Sequence, residues 1–253
     1  MSKNVTRLFE QFQPENYLLD LVLDKKDLKF SGRVTIRGKK VGRPSQRITF
    51  HQKDLRITKA SITKRDNKGN AEISISRVNT QKSFDEVRLH SDALIYPGKY
   101  TVTLEFKGQI TDAMNGLYPS RYKDDGQDKV ILGTQFESHH AREVFPCIDE
   151  PEAKATFDLS LTTDKDETML GNTPVKSEET KGSIKTTVFE QTPIMSSYLL
   201  AFVVGSMDYK EATTKDGVAI RVYATPDKVE QVDFGLDVAV KSLEFYNDYF
   251  GIP

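Results

Sequence analysis

Hydrophobic and polar residues alternate with a period of two over most of the chain, from Tyr17 to about Val204. In the clearest run, Tyr17, Leu19, Leu21 and Leu23 occupy every second position. Successive side chains of a β-strand point to opposite faces, so such a run has one buried and one exposed face. Turn-forming residues separate the runs, at 67–70, 97–98, 181–182 and 215–217. The pattern predicts a mainly β fold in which antiparallel sheets pack as a β-sandwich.

The period changes near the end of the chain. After a last strand predicted over residues 218–223, Thr225, Pro226 and Asp227 are residue types that begin helices. Hydrophobic residues then recur at mostly helical spacing, which predicts one amphipathic helix over 226–250 that ends at Gly251. Because a helix with a broad apolar face needs a partner, we expect further sequence beyond residue 253.

Composition narrows the classes of function. The 253 residues carry 36 basic and 37 acidic side chains, a net charge of −1, which argues against nucleic acid or an anionic membrane as a partner. The single cysteine, Cys147, excludes an internal disulfide and a cysteine-based zinc or iron–sulfur site. With no apolar run of the roughly 18–20 residues that cross a bilayer and no secretory signal, we expect a cytoplasmic protein.

The residues with the greatest chemical potential lie between 133 and 151. Neighbouring side chains diverge on a regular element, so His139 and His140 are predicted to be surface or packed histidines rather than ligands of one zinc ion. Cys147 lies between Pro146 and Ile148 and is predicted to be a small buried hydrophobic residue rather than a nucleophile.

Asp149 and Glu150 are the adjacent carboxylates of this region. They could form a hydrolytic pair. Their position directly before Pro151 favours a turn or a helix-entry cap instead, with a salt-bridge partner such as Arg142.

Several motifs in the same order resemble the N-terminal domain of gluzincin zinc aminopeptidases, the group of aminopeptidase N and puromycin-sensitive aminopeptidase. The most specific is Thr134-Gln135-Phe136-Glu137. The motifs that carry the resemblance are residues 115–122, 134–137, 141–142, 145–151, 154–157, 195–205 and 243–253. The similarity therefore extends from about Tyr17 to the last residue.

The resemblance implies a saddle-like β-sandwich domain over residues 1–208. Residues 209–253 would be the opening strand and helix of a truncated, thermolysin-like catalytic domain. In this family a zinc ion is bound by an HExxH motif and a later glutamate, and the enzyme removes single residues from peptide N-termini. Neither HExxH nor the family's Gly-Ala-Met-Glu-Asn loop is present in this sequence. The chain is therefore expected to hold no catalytic residue and no metal ligand, and to be inactive alone.

Two residues match positions of the family that bind substrate. The position of Glu137 accepts hydrogen bonds from the free α-ammonium of the substrate, and the position of Gln135 lines the S1 pocket. On an extended segment these two side chains face the same side and Phe136 faces the opposite side, into the sandwich. The alternative for Glu137 is a surface glutamate paired with a nearby cation such as Arg142.

The resemblance also implies partners: peptides with a free N-terminus, and the catalytic domain that is missing here. We expect an exposed apolar patch, formed by the 226–250 helix and the Gln135–Glu137 face, through which the chain self-associates. A glutamate at position 137 favours a plain aminopeptidase over the bifunctional epoxide hydrolases of the group, which tend to carry glutamine there. The alternative functions are a non-catalytic β-sandwich scaffold and, on the strand pattern alone, an adhesion domain.

Overall fold

The computed structural model describes residues 7–66 and 69–252, so Asn67 and Lys68 of the turn predicted at 67–70 lie outside the described residues. Within this part of the chain there are seventeen strands, one α-helix and five short 3-10 helices. The strands are β1 (Phe12–Asp24), β2 (Lys29–Lys40), β3 (Ser45–His51), β4 (Arg56–Asp66), β5 (Gly69–Ile73), β6 (Arg77–Gln81), β7 (Glu86–Ile95), β8 (Gly98–Gln109), β9 (Gly116–Asp124), β10 (Gln127–Gln135), β11 (Thr156–Asp164), β12 (Thr168–Gly171), β13 (Val175–Lys181), β14 (Ile184–Phe189), β15 (Phe202–Gly205), β16 (Asp208–Thr213) and β17 (Ala219–Ala224). The helix is α1 (Asp233–Phe250), and the 3-10 helices are Leu8–Glu10, Lys82–Phe84, Ala141–Glu143, Ser197–Leu199 and Val229–Gln231.

The largest sheet has eight strands in the order β13-β14-β11-β1-β2-β8-β4-β5. Tyr17, Leu19 and Leu21 of β1 are fully buried, while Leu18 between them is exposed, so the predicted alternation is confirmed. β1 pairs antiparallel with β2 but parallel with β11. This parallel pair departs from the predicted antiparallel arrangement. It is possible because the long chain segment between β1 and β11 allows a crossover that a short hairpin does not.

Within the described residues, three smaller sheets complete the β architecture, with the orders β3-β7-β6, β12-β15-β10-β9 and β16-β17. Phe12 at the start of β1 meets Phe50 of β3 edge to face, with ring centroids 5.2 Å apart. Both rings are buried, so the eight-stranded and the three-stranded sheets share an apolar core. The predicted mainly β sandwich is confirmed.

The chain divides into two compact units. Unit 1 comprises residues up to 120, 132–165 and 169–204, and unit 2 comprises residues 121–131, 166–168 and those from 205 onward. Within unit 2, the hairpin of β16 and β17 is followed by α1, and Lys210 of β16 pairs with Asp233 at the start of the helix at 2.9 Å. The assignment of residues 209–253 to a catalytic domain stays a prediction.

The start of the helix was predicted too early. Thr225 and Pro226 form a turn in which the Thr225 carbonyl accepts hydrogen bonds from the amides of Lys228 and Val229, at 2.8 and 3.1 Å, and α1 begins only at Asp233. Proline suits the second position of a turn as well as the first of a helix, so the local residues allow both. The predicted end is correct, since Gly251 adopts a left-handed conformation with φ of 65°. None of the helices in the described residues is both long and apolar enough to span a membrane.

Candidate functional site

The segment with the two substrate-binding candidates leaves the end of β10. Next to it, the Thr134 hydroxyl donates to the Phe202 carbonyl at 3.3 Å and accepts from the Phe202 amide at 3.0 Å. Further into the strand, Leu132 and Gly133 pair with β15. Gln135 is the last residue of β10. The chain then turns, and the His140 amide donates to the Phe136 carbonyl at 2.9 Å. The Glu137–Ser138 peptide bond in this turn is cis.

Phe136 anchors this segment in the core of unit 1. Only 2% of its surface is exposed, and its ring lies edge to face on Phe145, with the centroids 6.2 Å apart. Gln135 and Glu137 on either side are exposed. The predicted burial of Phe136 is confirmed, and it follows that the two polar neighbours are held on the surface by a residue that cannot easily move.

Glu137 makes no hydrogen bond or ion pair with its side chain within residues 7–66 and 69–252. Arg142, the cation proposed as its alternative partner, is committed to Asp149. That alternative is therefore wrong for this structure. The Gln135 side chain likewise lacks a polar partner in the part of the chain described.

Arg142 and Asp149 form a buried ion pair, so the salt bridge predicted for Arg142 with this pair of carboxylates is present at Asp149. The Arg142 Nε donates to Asp149 Oδ2 at 3.0 Å and its Nη2 donates to the Asp149 carbonyl at 3.1 Å. The other carboxylate oxygen, Oδ1, accepts from the Ser197 hydroxyl at 2.7 Å. Only 1% of the Asp149 side chain is exposed, and a carboxylate at that depth requires such partners.

Glu150 is used elsewhere. It accepts a hydrogen bond from the Leu8 amide at 2.7 Å and pairs with Arg7 at 3.4 Å. The Ala153 amide donates to the Glu150 carbonyl at 2.9 Å, so the segment is the predicted turn rather than a helix entry. Asp149 and Glu150 thus bind different parts of unit 1 and do not act as a pair.

Cys147 is fully buried, as predicted, and burial raises the pKa of its thiol well above the ordinary value, so that the thiol stays neutral. The Cys147 amide donates to the His51 carbonyl at 3.1 Å, and the His51 amide donates to the Cys147 carbonyl at 2.8 Å. The next amide, of Ile148, donates to the Tyr17 hydroxyl at 3.0 Å. These bonds tie the block 145–151 to β1 and β3, which makes it a scaffold.

The prediction that the side chains of His139 and His140 point in different directions is wrong. The rings of His139 and His140 stack with centroids 4.8 Å apart, because both residues lie in a turn rather than on a regular element. Nδ1 of His139 bonds to the Ser138 hydroxyl at 2.8 Å, and Nδ1 of His140 bonds to Glu143 at 3.0 Å. Among the described residues no group of three or more His, Cys, Asp or Glu side chains could hold a metal ion.

Helix α1 in unit 2 exposes an aromatic cluster. Its rings contact one another at centroid distances of 4.9–5.9 Å, and Tyr249 is 70% exposed. The members are Phe245, Tyr246, Tyr249 and Phe250. The apolar surface expected from the helix is present, whereas the Gln135–Glu137 segment exposes polar side chains.

Sequence reasoning missed His51. This residue is buried, and its Nδ1 accepts the Asp149 amide hydrogen at 3.0 Å. The sequence gives little indication of its burial. Polar Thr49 and His51 alternate with Ile48 and Phe50, and this pattern alone indicates a strand with one solvent-exposed face.

Comparison with known proteins adds the family. Residues 13–199 match the profile of the peptidase M1 N-terminal domain. The chain is 43% identical over its whole length to an aminopeptidase N of Lactococcus lactis subsp. lactis, of which it covers 28%. It is 36% identical over 97% of its length to an aminopeptidase N of Lactobacillus helveticus and 35% identical over 95% to aminopeptidase M1-A of Oryza sativa subsp. japonica, covering 27% of each. The chain thus spans little more than a quarter of these relatives.

Proposed function

The chain belongs to the peptidase M1 N-terminal domain family. We propose that it is the N-terminal domain of a zinc-dependent aminopeptidase that removes single residues from peptide N-termini. Its substrates are peptides with a free α-amine. The names of the relatives, aminopeptidase N and aminopeptidase M1-A, support this class of hydrolase. The single cysteine supports a cytoplasmic location, since thiols stay reduced there.

The observation that carries the proposal is the unpaired carboxylate of Glu137. An exopeptidase must distinguish a terminal ammonium from an internal amide. A carboxylate that accepts charge-assisted hydrogen bonds from the ammonium makes this distinction, because an internal peptide would leave it desolvated and without a partner. Glu137 suits this role: it is exposed, it binds no cation among the described residues, and the buried Phe136 holds its backbone.

Gln135 has the second role in the proposal, as part of the wall of the S1 pocket. It lies two residues before Glu137 and is exposed like it. An amide side chain can contact the first substrate residue by its apolar stem or by hydrogen bonds.

Among the described residues, no group of three or more carboxylates, histidines or thiols could hold a metal ion. We therefore assign the metal, and the hydrolysis it supports, to polypeptide other than this chain. The 253-residue chain alone is expected to be inactive and to require its catalytic domain as a partner.

The test replaces Glu137 by alanine in the full-length enzyme and measures two competitive inhibitors that differ only in a free or an acetylated α-amine. We expect the free-amine inhibitor to lose about 30-fold or more in affinity, equivalent to about 2 kcal/mol, while the acetylated one changes little. The matched control is Glu72→Ala, an exposed glutamate on β5, which should leave both unchanged. Equal losses for the two inhibitors would contradict the role of Glu137.

A further inference from the structure

One face of the three-stranded sheet β3-β7-β6 is polar and yet covered. Ile48 and Phe50 of β3 face the apolar core, so the alternate residues Arg47, Thr49 and His51 share the opposite face. In the strand register these three lie across from His90, Arg88 and Glu86 of β7. Thr49 and His51 are nevertheless more than nine-tenths buried, because other segments of unit 1 lie over this face.

The covering segments leave a cavity. Arg7 and Leu8 on one side and Arg142, Glu150 and Pro151 on another line an open cavity of about 690 Å³ that also includes Thr49 and His51. We call it the His51 cavity. Its volume lies within the range of sites that bind small molecules. Gln135 and Glu137 do not line it.

Two hydrogen-bonding groups in the wall of the His51 cavity are available to a ligand, and one of them is a buried hydroxyl without a partner in the described chain. The Thr49 hydroxyl is buried and makes no hydrogen bond. Nδ1 of His51 accepts the Asp149 amide hydrogen at 3.0 Å, so in the neutral ring the hydrogen is on Nε2, which is then a donor. Burial and the nearby Arg142 lower the pKa of His51 to about 3, so the ring is neutral near pH 7. Buried polar groups are nearly always satisfied, so the unpartnered Thr49 hydroxyl, with the Nε2 hydrogen of His51 two residues away on the same face, points to a ligand.

The arginines around the His51 cavity differ in what they already bind. Arg88 pairs with Glu86 at 2.7 Å, Arg142 pairs with Asp149 at 3.0 Å, and Arg7 pairs with Glu150. Arg47 alone among them has no carboxylate partner in residues 7–66 and 69–252. It is exposed and lies two residues from Thr49 on the same face of β3.

We infer that the His51 cavity binds a small organic carboxylate with an apolar body. The carboxylate accepts hydrogen bonds from Thr49 and from His51 Nε2 and pairs with Arg47. The apolar body lies on Leu8, Phe84 and Pro151, the hydrophobic residues of the lining. This inference does not depend on the proposed peptidase function.

The charges of the lining favour a monoanion. Four arginines line the His51 cavity together with the carboxylates of Glu86 and Glu150. A carboxylate with an apolar body pairs with the free guanidinium of Arg47 and also covers the hydrophobic lining, whereas a phosphate dianion brings a second charge and no apolar part. A cation would meet only carboxylates that arginines already neutralise.

The experiment titrates the 253-residue chain with 3-phenylpropionate, the isosteric 3-phenylpropionamide and inorganic phosphate, and follows the amide NMR signals of residues 47–51. For a ligand of this size we expect saturation by 3-phenylpropionate in the millimolar range. The amide and phosphate should bind about ten-fold more weakly or not at all.

Two variants connect the binding to the named groups. Arg47→Gln should weaken 3-phenylpropionate by about ten-fold, and Thr49→Val by about five-fold. Thr49→Val removes a hydroxyl that has no partner, so a merely structural residue would show no loss of affinity.

The matched control is Arg37→Gln, at an exposed arginine on β2 outside the cavity, and this variant should bind like the parent chain. No saturable shift, equal binding of acid and amide, or equal effects of Arg47→Gln and Arg37→Gln would overturn the inference. Because Arg47 is exposed, its variant keeps the test decisive even if Thr49→Val folds poorly.

Discussion

Glu137 and Asp149 lie twelve positions apart in the same motif-rich stretch, and the structure treats their carboxylates in opposite ways. Asp149 is buried, and both of its oxygens accept hydrogen bonds, from Arg142 and from Ser197. Glu137 is exposed and binds no other described residue. Since buried charges are stable only when paired, Asp149 serves the fold, whereas Glu137 is free to bind something else. A carboxylate with partners thus marks the scaffold, and a carboxylate without a partner marks the candidate site.

The largest test of this contrast is the loss of each carboxylate. Asp149→Ala leaves the buried Arg142 without its partner, so we expect the free energy of unfolding to fall by about 3–5 kcal/mol. Glu137→Ala removes no contact within the described chain and should change it by about 0.5 kcal/mol or less. Urea unfolding of the two variants and the parent chain measures both values. A comparable loss in the two variants would mean that Glu137 also supports the fold.

A second test uses pH, through the histidine that contacts Asp149. The pKa of His51 is lowered from 6.5 to about 3, chiefly by burial, so between these values the unfolded chain binds a proton that the folded chain does not. The contribution of His51 to the free energy of unfolding is therefore fully present above pH 6.5. It is lost as the pH falls towards 3, by at most about 1.4 kcal/mol per pH unit. Urea unfolding between pH 4.5 and 6.5 should show a smaller slope for His51→Gln than for the parent chain.

The control for the pH test is His139→Gln, which replaces an exposed histidine. Its slope should match that of the parent chain. If His51→Gln leaves the slope unchanged, the buried ring does not stay neutral in this range.

The smallest expected effect concerns the other unpartnered surface, the aromatic cluster of α1. Exposed apolar patches promote association, so we expect weak, concentration-dependent self-association of the chain in sedimentation. Replacing both Phe245 and Tyr249 by lysine should reduce it. Leu94→Lys, at a half-exposed leucine of unit 1, should not. A monomer without any concentration dependence would show that this surface does not associate by itself.

The features predicted correctly from the sequence depend on near neighbours. Alternation marked the buried face of β1, and the same argument placed Phe136 inside, with Gln135 and Glu137 outside. A glycine after a helical pattern identified the end of α1 at Gly251. Each of these follows from side-chain direction or backbone freedom within a few residues.

The errors have a different physical origin. Thr225 and Pro226 suit a turn and a helix equally, and the contacts of α1 within unit 2 decide that the helix begins at Asp233. The stacking of His139 on His140 depends on the turn that contains them. The parallel pairing of β1 with β11 joins segments far apart along the chain, on which local pattern carries no information.

The sequence by itself therefore determined the type of fold, the buried face of each clear strand and the positions that match substrate-binding residues of the family. Tertiary structure alone decided which carboxylate Arg142 pairs with, and consequently that Glu137 is left without a cation. It also brought Leu8, Glu150 and Pro151 to Thr49 and His51, which together line a cavity. The physical reason is that side-chain direction is a local property of the backbone, whereas pairing and burial depend on which distant segments meet.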